Sequence, residues 1–405
     1  MRRTVLALAA VCVAAGLGVA GYAALFRGSA GPVRPSPGGS GSAASSPVAP
    51  SPSSAPVDRD ACPDVVLSRL DLNAQVGQLL MIGTPIANPA GLADTVRRYR
   101  LGGVFLAGRS GQSAASLRQG IGALQDVAAG AFGVRLLVAL DQEGGEVQTL
   151  RGNDFPAIPS AVQQGQWDQQ TLRARTADWA GRLAGAGVTM DLAPVADTVP
   201  AGTGGANPPI GAFNRQYGSA PDPVAQDIAT VVGAAQSAGV LTTLKHFPGL
   251  GRVRANTDTS TQAVDPVTTV DDPYLRPFSA GIGAGSAAVM VSSATYPRLD
   301  AQSVAAFSTP IVTGLLRQRL GFTGVIVSDD LGAAVAVRAV PVGDRAVRFV
   351  RAGGDLVLTV RSADAAPMTA ALLAAARQSA DFAARVTDAA RHVLRAKFRA
   401  GLLHC

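Results

Sequence analysis

Short apolar runs alternate with longer alanine-rich segments from about residue 72 onward. Continuous apolar, β-branched runs are typical of strands that are buried on both faces, and the segments between them have the composition of helices. Eight such units over roughly 300 residues predict a single-domain α/β fold, a (β/α)8 barrel. The eight runs are VGQLLMIG (76–83), GVFLAG (103–108), LLVALD (136–141), VTMDLAPV (188–195), VLTTLKHF (240–247), AAVMVSSA (287–294), GVIVSDD (324–330) and DLVLTV (355–360).

An open, doubly wound sheet is the structural alternative. It would carry a Gly-x-Gly-x-x-Gly turn after its first strand, and no such turn follows the run at 76–83. Proline and glycine mark one helix clearly, because Pro310 follows Ser308-Thr309 at its start and Gly321 follows its end.

The last segment, at about 381–400, predicts an amphipathic helix. His392 lies on it, far in sequence from any strand end, so we expect a packed or half-exposed residue rather than a catalyst. The polar side of this helix is expected to carry Arg385, Arg391, Arg395 and Lys397.

The amino-terminal segment predicts export. Arg2 and Arg3 precede an apolar run that ends before Arg27, so residues 1–27 form either a cleaved signal peptide or an uncleaved membrane anchor. Residues 28–57 are rich in Pro, Ser and Gly, a composition typical of a disordered linker. The folded domain is expected over 58–405, with membrane contact only through the amino-terminal segment.

Two cysteines remain after the linker, Cys62 at the start of the domain and Cys405 at its end. In an exported protein, such a pair predicts a disulfide that joins the two ends of the fold. Two free thiols are the alternative.

Charge and composition exclude several classes of function. The formal net charge is +7, but the arginines are scattered and no basic block is interleaved with aromatic residues, so nucleic-acid binding is not predicted. No Cys/His cluster is spaced for a transition metal, and no glycine-rich loop ends in Lys-Ser/Thr. We therefore expect no metal and no cofactor.

Polar residues cluster where four of the apolar runs end. In a barrel, the carboxyl ends of the strands share one rim, which is where active sites lie. A single aspartate there is often a helix cap, but four clusters are harder to explain in that way. Carboxylates together with Lys and His donors suit the cleavage of a glycosidic bond. The clusters are Asp141-Gln142-Glu143, Asp191 with Asp197, Lys245-His246 and Asp329-Asp330.

Three motifs in this order resemble glycoside hydrolase family 3: LVALDQEGGEVQTL, KHFPGLG and GVIVSDDL. The resemblance covers about residues 70–400 and is greater to the single-domain bacterial β-N-acetylglucosaminidases than to the multi-domain β-glucosidases. It implies a retaining hydrolase that removes terminal β-linked N-acetylhexosamine or a related sugar. Peptidoglycan fragments are the expected source of this carbohydrate substrate.

The resemblance also implies roles for individual residues. Asp329 matches the nucleophile that forms a covalent glycosyl-enzyme. The residues expected to bind the sugar are Asp141, Lys245, His246, Arg215 and, as a weaker match, Arg151.

The acid/base position departs from the family pattern. The similar enzymes carry Asp-Ser-His after KHFPGHG, whereas this chain has Asn256-Thr257-Asp258 there and Leu250 in place of the second histidine. In one interpretation Asp258 is the acid/base and Asn256 orients it. In the other, catalysis is impaired and the barrel serves as a cell-wall glycan-binding protein.

Overall fold

Eight parallel strands form one sheet in the computed structural model, which describes residues 61–403. Almost every strand residue is buried, because side chains on one face fill the barrel and those on the other pack against helices. The strands are β1 (Leu80–Pro85), β2 (Gly103–Ala107), β3 (Leu137–Leu140), β4 (Met190–Asp191), β5 (Leu241–Phe247), β6 (Ala288–Val291), β7 (Val325–Ser328) and β8 (Val357–Thr359).

The sheet closes on itself. Its strand order is β7-β6-β5-β4-β3-β2-β1-β8, with Leu80 of β1 paired with Val357 of β8. The remaining gap is bridged where Val327 of β7 pairs in parallel with Leu356, and the backbone N–H of Ser328 donates to the same Leu356. The predicted (β/α)8 barrel is therefore confirmed, and the open sheet is excluded.

Side chains alternate between two apolar layers. Met81 points into the barrel, where it packs with Leu137 and Leu241, whereas its neighbours Leu80 and Ile82 belong to the layer under the helices. Successive side chains of a β-strand point to opposite faces, which gives this alternation. Because both faces are buried, the apolar runs contain few polar residues.

Helices lie between the strands in chain order, and one of them is a π-helix at Pro310–Arg319, where the sequence predicts a helix before Gly321. Ser113 and Asp168 cap two of the helices, each accepting a hydrogen bond from a backbone N–H of the first turn. The α-helices are α1 (Cys62–Ser68), α2 (Leu72–Gln78), α3 (Ala93–Tyr99), α4 (Ala114–Phe132), α5 (Ala161–Gln164), α6 (Gln169–Gly185), α7 (Pro221–Ser237), α8 (Arg276–Gly283), α9 (Val342–Ala352), α10 (Ala365–Gln378) and α11 (Ala380–Arg399).

Smaller elements shape the loops at both ends of the barrel. Two short antiparallel pairs follow β3 and β6, namely Gln142–Gly144 with Val147–Gln148 and Thr295–Tyr296 with Asp300–Val304. The 3₁₀ turns are Pro89–Leu92, Gly204–Ala206, Gly211–Phe213, Pro273–Leu275, Ala305–Phe307, Val335–Val337 and Ser362–Asp364.

The first predicted strand, 76–83, is wrong at its amino-terminal half. Asp71 accepts a hydrogen bond from the N–H of Ala74 at 2.7 Å and so begins α2, which continues to Gln78. The last turn of this helix and the strand after it are both buried. They therefore read as one apolar run in the sequence.

The fourth predicted strand, 188–195, is too long. Only Met190–Asp191 pair continuously with both neighbours, because Pro194 has no N–H to donate to a ladder. Val195 returns to pair with Lys245 in a single bridge.

The last helix, α11, crosses the end of the barrel opposite the carboxyl ends of the strands, where Val393 and Ala396 join the inner apolar layer. Lys397 is not on the polar side, as the sequence suggests, but is fully buried with its Nζ 2.5 Å from Gln78 Oε1. His392 is packed, as predicted, with its Nδ1 3.0 Å from Asp355 Oδ1.

Helix α1 packs beside α11, and Arg391 Nε lies 2.8 Å from Asp64 Oδ1 between them. Cys62 is buried at the start of α1. Its predicted partner Cys405 lies outside the described residues, so the disulfide stays a prediction. The predicted leader (1–27) and linker (28–57) also lie outside them. Within residues 61–403, no helix is long and apolar enough to cross a bilayer.

Candidate active site

An open cleft of about 1000 Å³ lies at the carboxyl ends of the strands. Its floor is the top layer of the barrel interior, with Phe105, Leu192, Met290 and Leu358 at or beside β2, β4, β6 and β8. Alternate strands thus supply one layer of side chains, as expected for this barrel. The predicted residues that line the cleft are Asp141, Arg215, Lys245, His246, Asn256, Asp258 and Asp329.

Lys245, at the end of β5, connects two carboxylates. Its Nζ lies 2.6 Å from Asp141 Oδ1 and 2.6 Å from Glu143 Oε1, and its side chain is almost completely buried. Burial alone would lower the pKa of Lys245, but the charges of Asp141 and Glu143 outweigh it and raise the pKa. The ammonium is therefore a fixed cation.

Arg215 makes a bidentate pair with the same glutamate. Its Nε and Nη2 donate to the two oxygens of Glu143 at 2.8 and 2.7 Å, and its Nη1 donates to the carbonyl of Pro209. Burial opposes ionisation of Glu143, yet Arg215 and Lys245 lower its pKa to about 2. Glu143 is therefore the anion that holds both cations in place.

Gly144 and Gly145 follow Glu143 at the turn that brings it to this position, and both have positive φ. Gly144 has a φ of 102°, and a Cβ there would come within 2.4 Å of the carbonyl of Pro159. The short strand Gln142–Gly144 turns back at this point, so Glu143 reaches Lys245 from two residues beyond Asp141. The sequence predicts Glu143 at the rim but does not indicate a role for it. Its position two residues from Asp141 on an extended segment is the signal that could have done so.

His246 is oriented by a buried carboxylate. Its Nδ1 lies 2.7 Å from Asp197 Oδ2, and Asp197 Oδ1 accepts the backbone N–H groups of His246 and Leu250. The other ring nitrogen, Nε2, faces Arg215 Nη2 at 3.5 Å. Because a guanidinium carries only donors, this contact requires an Nε2 lone pair, which places the proton of a neutral His246 on Nδ1.

The two neighbouring aspartates after β7 have different surroundings. Asp330 accepts the backbone N–H groups of Gly332, Ala333 and Val360, so its carboxylate caps the loop. In the described part of the chain, the Asp329 carboxylate accepts one hydrogen bond, from the N–H of Asp330 at 2.9 Å, and it lines the cleft. Of the pair, Asp329 is the carboxylate with capacity left for a ligand.

The loop that carries Asp258 covers one side of the cleft. Its backbone is held at Ala336, whose N–H donates to Thr257 O, and Asn256 Oδ1 accepts the N–H of Asp258 at 2.9 Å. Asn256 therefore orients the backbone of Asp258 rather than its carboxylate. Within residues 61–403, no hydrogen-bond donor lies on that carboxylate, which is exposed to the cleft.

The surroundings of Asp258 favour its protonated form. Partial desolvation by the walls of the cleft and, next, the negative charge of Asp329 raise its pKa, while His246 and Arg215 oppose the change. Water in the open cleft moderates the effect. Asp258 therefore has the character of an acid that is more readily protonated than an ordinary surface aspartate.

Two other polar residues stand apart from the cleft. Arg151 does not line it, and instead donates to the carbonyls of Gly145 and Gln148 in its own loop. Asp191 accepts the N–H of Gln142 at 3.0 Å and borders a smaller internal cavity behind Arg215. Desolvation raises the pKa of Asp191 to about 7.

Within residues 61–403, no three His, Cys, Asp or Glu side chains come together in a group that could hold a metal ion.

The model of the glycosyl hydrolase family 3 N terminal domain matches residues 71–396. The chain belongs to this family. The family resemblance of the three motifs is thereby confirmed.

Curated relatives of this family member include β-hexosaminidases. That of Stenotrophomonas maltophilia (strain K279a) is 36% identical over 230 residues, covering 55% of this chain and 66% of the relative. That of Thioalkalivibrio sulfidiphilus (strain HL-EbGR7) is 36% identical over 279 residues, covering 66% of this chain and 77% of the relative. The chain thus spans just under two thirds of the length of the first of these relatives.

Solved structures agree with this assignment. The β-N-acetylhexosaminidase from Beutenbergia cavernae DSM 12333 is 47% identical with a TM-score of 0.77, covering 81% of this chain and 98% of that one. The family 3 β-N-acetylglucosaminidase from Paenibacillus sp. str. FPU-7 is 30% identical with a TM-score of 0.75, covering 82% and 63%.

Proposed function

We propose that this protein is a retaining glycoside hydrolase that removes terminal β-linked N-acetylhexosamine residues. One observation carries the proposal: Asp329 and Asp258 face the same cleft with little or no internal hydrogen bonding, while the carboxylates around them are held by cations or backbone. The names of the similar proteins, β-hexosaminidase and β-N-acetylhexosaminidase, support this choice of sugar.

In the first step, a carboxylate oxygen of Asp329 attacks the anomeric carbon. The glycosidic C–O bond breaks, and the departing oxygen takes the proton of the Asp258 carboxylic acid. In the second step, Asp258 removes a proton from water, the resulting hydroxide oxygen bonds to the anomeric carbon, and Asp329 leaves as a carboxylate. Sugar is released with its anomeric configuration retained.

Charge coupling between the two aspartates suits both steps. The negative charge of Asp329 contributes to the raised pKa of Asp258, which favours the acid form before the first step. Once Asp329 is esterified, that charge is gone, and the pKa of Asp258 falls toward the value a base requires.

The remaining polar groups would bind the sugar. Asp141 accepts hydrogen bonds from sugar hydroxyls, and Lys245 and Arg215 donate hydrogen bonds to sugar oxygens. Both cations are held by Glu143 before substrate arrives. His246 presents Nε2 to the cleft side of Arg215. For Arg151, binding would require the loop of Gly145 to release it. We propose peptidoglycan fragments outside the cell membrane as the source of substrate, in keeping with the signal peptide or membrane anchor that the sequence predicts over residues 1–27.

The alternative is a barrel with impaired catalysis that binds cell-wall glycans. The observation that favours it is the exposed Asp258 carboxylate, which no described residue orients.

Hydrolysis of 4-nitrophenyl β-N-acetylglucosaminide by the full-length protein, between about pH 4 and pH 8, tests both candidates. Turnover that falls by about 10⁴-fold or more in Asp329→Asn supports the hydrolase. Saturable binding of N-acetylglucosamine without turnover in the parent protein supports the binding module instead.

Asp258→Ala tests the acid/base separately. We expect a loss of about 10²–10⁴-fold for sugar leaving groups and a much smaller loss for 4-nitrophenolate, which needs no proton. Azide, which attacks the glycosyl-enzyme without a base, should restore turnover and yield a β-glycosyl azide. The matched control is Thr259→Ala, the exposed neighbour on the same loop. Equal losses for both leaving groups, without azide rescue, would assign another role to Asp258.

A further inference from the structure

A separate open cavity, the basal pocket, lies at the opposite end of the barrel from the cleft, between α11 and the segments that lead into β6 and β7. It encloses about 810 Å³, including space open to solvent. Its basic side chains all come from α11, which contributes His392, Arg395 and Arg399. The other lining residues are neutral, and neither Asp nor Glu occurs among the described residues that line it.

Among residues 61–403, neither Arg395 nor Arg399 has a carboxylate partner. Arg399 Nη2 donates to the carbonyl of Gly285 at 2.8 Å and to Gln236 Oε1 at 3.4 Å, and both acceptors are uncharged. Arg395 makes neither a hydrogen bond nor an ion pair within residues 61–403 and is exposed. Desolvation lowers the pKa of Arg399, so its charge is held at a cost that a bound anion would offset.

The carboxylate that contacts His392, Asp355, cannot supply this anion. Asp355 is fully buried beside His392, and it already pairs with Arg317 and Arg385. Arg317 also donates to the carbonyls of Phe322 and Gly324 in the wall of the pocket. The region around the basal pocket therefore carries more positive than negative charge.

The spacing of the arginines fits one small anion. Arg395 and Arg399 are four residues apart on α11, so they lie on one helix face, about 6 Å apart along its axis. Like charges at this spacing repel each other, whereas a phosphate placed between two guanidinium forks accepts hydrogen bonds from both.

We infer that the basal pocket binds a phosphate group attached to a small organic moiety. The phosphate lies between Arg395 and Arg399, and the organic part contacts the apolar wall formed by Ile282, Phe322 and Ala396. A soluble phosphate ester and a phospholipid head group share this chemistry. The inference is independent of glycoside cleavage, because none of these side chains lines the catalytic cleft.

Calorimetric titration of the full-length protein with glycerol 3-phosphate at low salt tests the site. We expect saturable binding that weakens by roughly ten-fold or more in the double variant Arg395→Gln/Arg399→Gln. The matched control is Arg173→Gln/Arg175→Gln on α6, which removes the same charge from an exposed helix away from the pocket. The control should bind as the parent does.

Cosedimentation with phosphatidylglycerol vesicles distinguishes the two sources of phosphate. Vesicle binding that only the Arg395/Arg399 variant loses assigns a lipid head group. Binding of glycerol 3-phosphate that only this variant loses, with vesicle binding unchanged, assigns a soluble ester. Absence of saturable binding in the parent, or equal weakening in both double variants, would overturn the inference. Sugar hydrolysis should be unchanged in both variants, so the two proposals fail separately.

Discussion

The chain has two lysines, and the barrel buries both, at opposite ends and in opposite electrostatic settings. Lys245 at the rim touches two carboxylates, which raise its pKa despite burial. The ammonium of Lys397 at the base has the neutral Gln78 as its one hydrogen-bond partner among residues 61–403, and burial lowers its pKa far below the ordinary value. Burial therefore does not decide the charge of a lysine. Its partners do.

The arginines repeat this contrast. Arg215 at the rim is matched by Glu143, whereas Arg395 and Arg399 at the base face a pocket lined by no carboxylate of the described chain. At the rim, internal pairing fixes the cations and leaves Asp329 and Asp258 available for chemistry. At the base, positive charge remains for an external partner.

Removing the ammonium of Lys245 at the rim should have the largest effect on stability. Lys245→Met leaves Asp141 without its cation and Glu143 with only Arg215. We expect a loss of about 3–5 kcal/mol in the free energy of unfolding, measured by urea denaturation at neutral pH. Hydrolysis should fall as well, in the fraction that remains folded. A stability equal to that of the parent would mean that the rim does not depend on internal pairing.

At the base, the corresponding substitution Lys397→Met should increase the free energy of unfolding instead of lowering it. The folded protein favours neutral Lys397, so the parent loses stability as the pH falls below the unfolded pKa of 10.5 toward the lowered folded value. Lys397→Met removes this loss. Its advantage over the parent should grow by about 1.4 kcal/mol per pH unit through that window. Denaturation midpoints from pH 10 downward measure the slope, with exposed Arg173→Met as the control. Parallel pH profiles would show that Lys397 is charged in the folded protein.

Asp191, which lies near the rim, shows that partial burial without a cation has a cost there as well. Of the three substitutions, we expect its replacement to change stability the least. Its folded pKa of about 7 exceeds the ordinary 3.8, so stability is lost as the pH rises from 3.8 to 7. Asp191→Asn keeps the acceptor for the N–H of Gln142 and removes the charge. Asp191 is partly exposed, and solvent screening reduces the effect to a fraction of the full value of about 1.4 kcal/mol per pH unit, so we expect an increase in Tm of roughly 2–4 °C at pH 8 and almost none at pH 4. An equal increase at both pH values would indicate a packing effect instead.

The barrel could be predicted from the sequence because strands that are buried on both faces appear as continuous apolar runs. Eight such runs can be counted even where the ends of individual strands are misplaced. The error at the first strand occurred where two elements share one environment. Residues 76–79 are as buried as the strand that follows, and the N-cap at Asp71 is the local signal that a helix begins before them.

The site could be predicted in part. Strand ends placed Asp141, Lys245, His246 and Asp329 on one rim, and the family motifs supplied Arg215 and the loop of Asp258. Sequence could not assign Glu143 or Asp197, because their importance lies in pairing with residues about fifty or more positions away. Nor could it place Lys397 inside, since a lysine between polar neighbours on a helix normally faces water.

The contact between Asp64 and Arg391 has a consequence for orientation. Because α1 is joined to the helix that crosses the base, the polypeptide enters the domain from the side remote from the cleft.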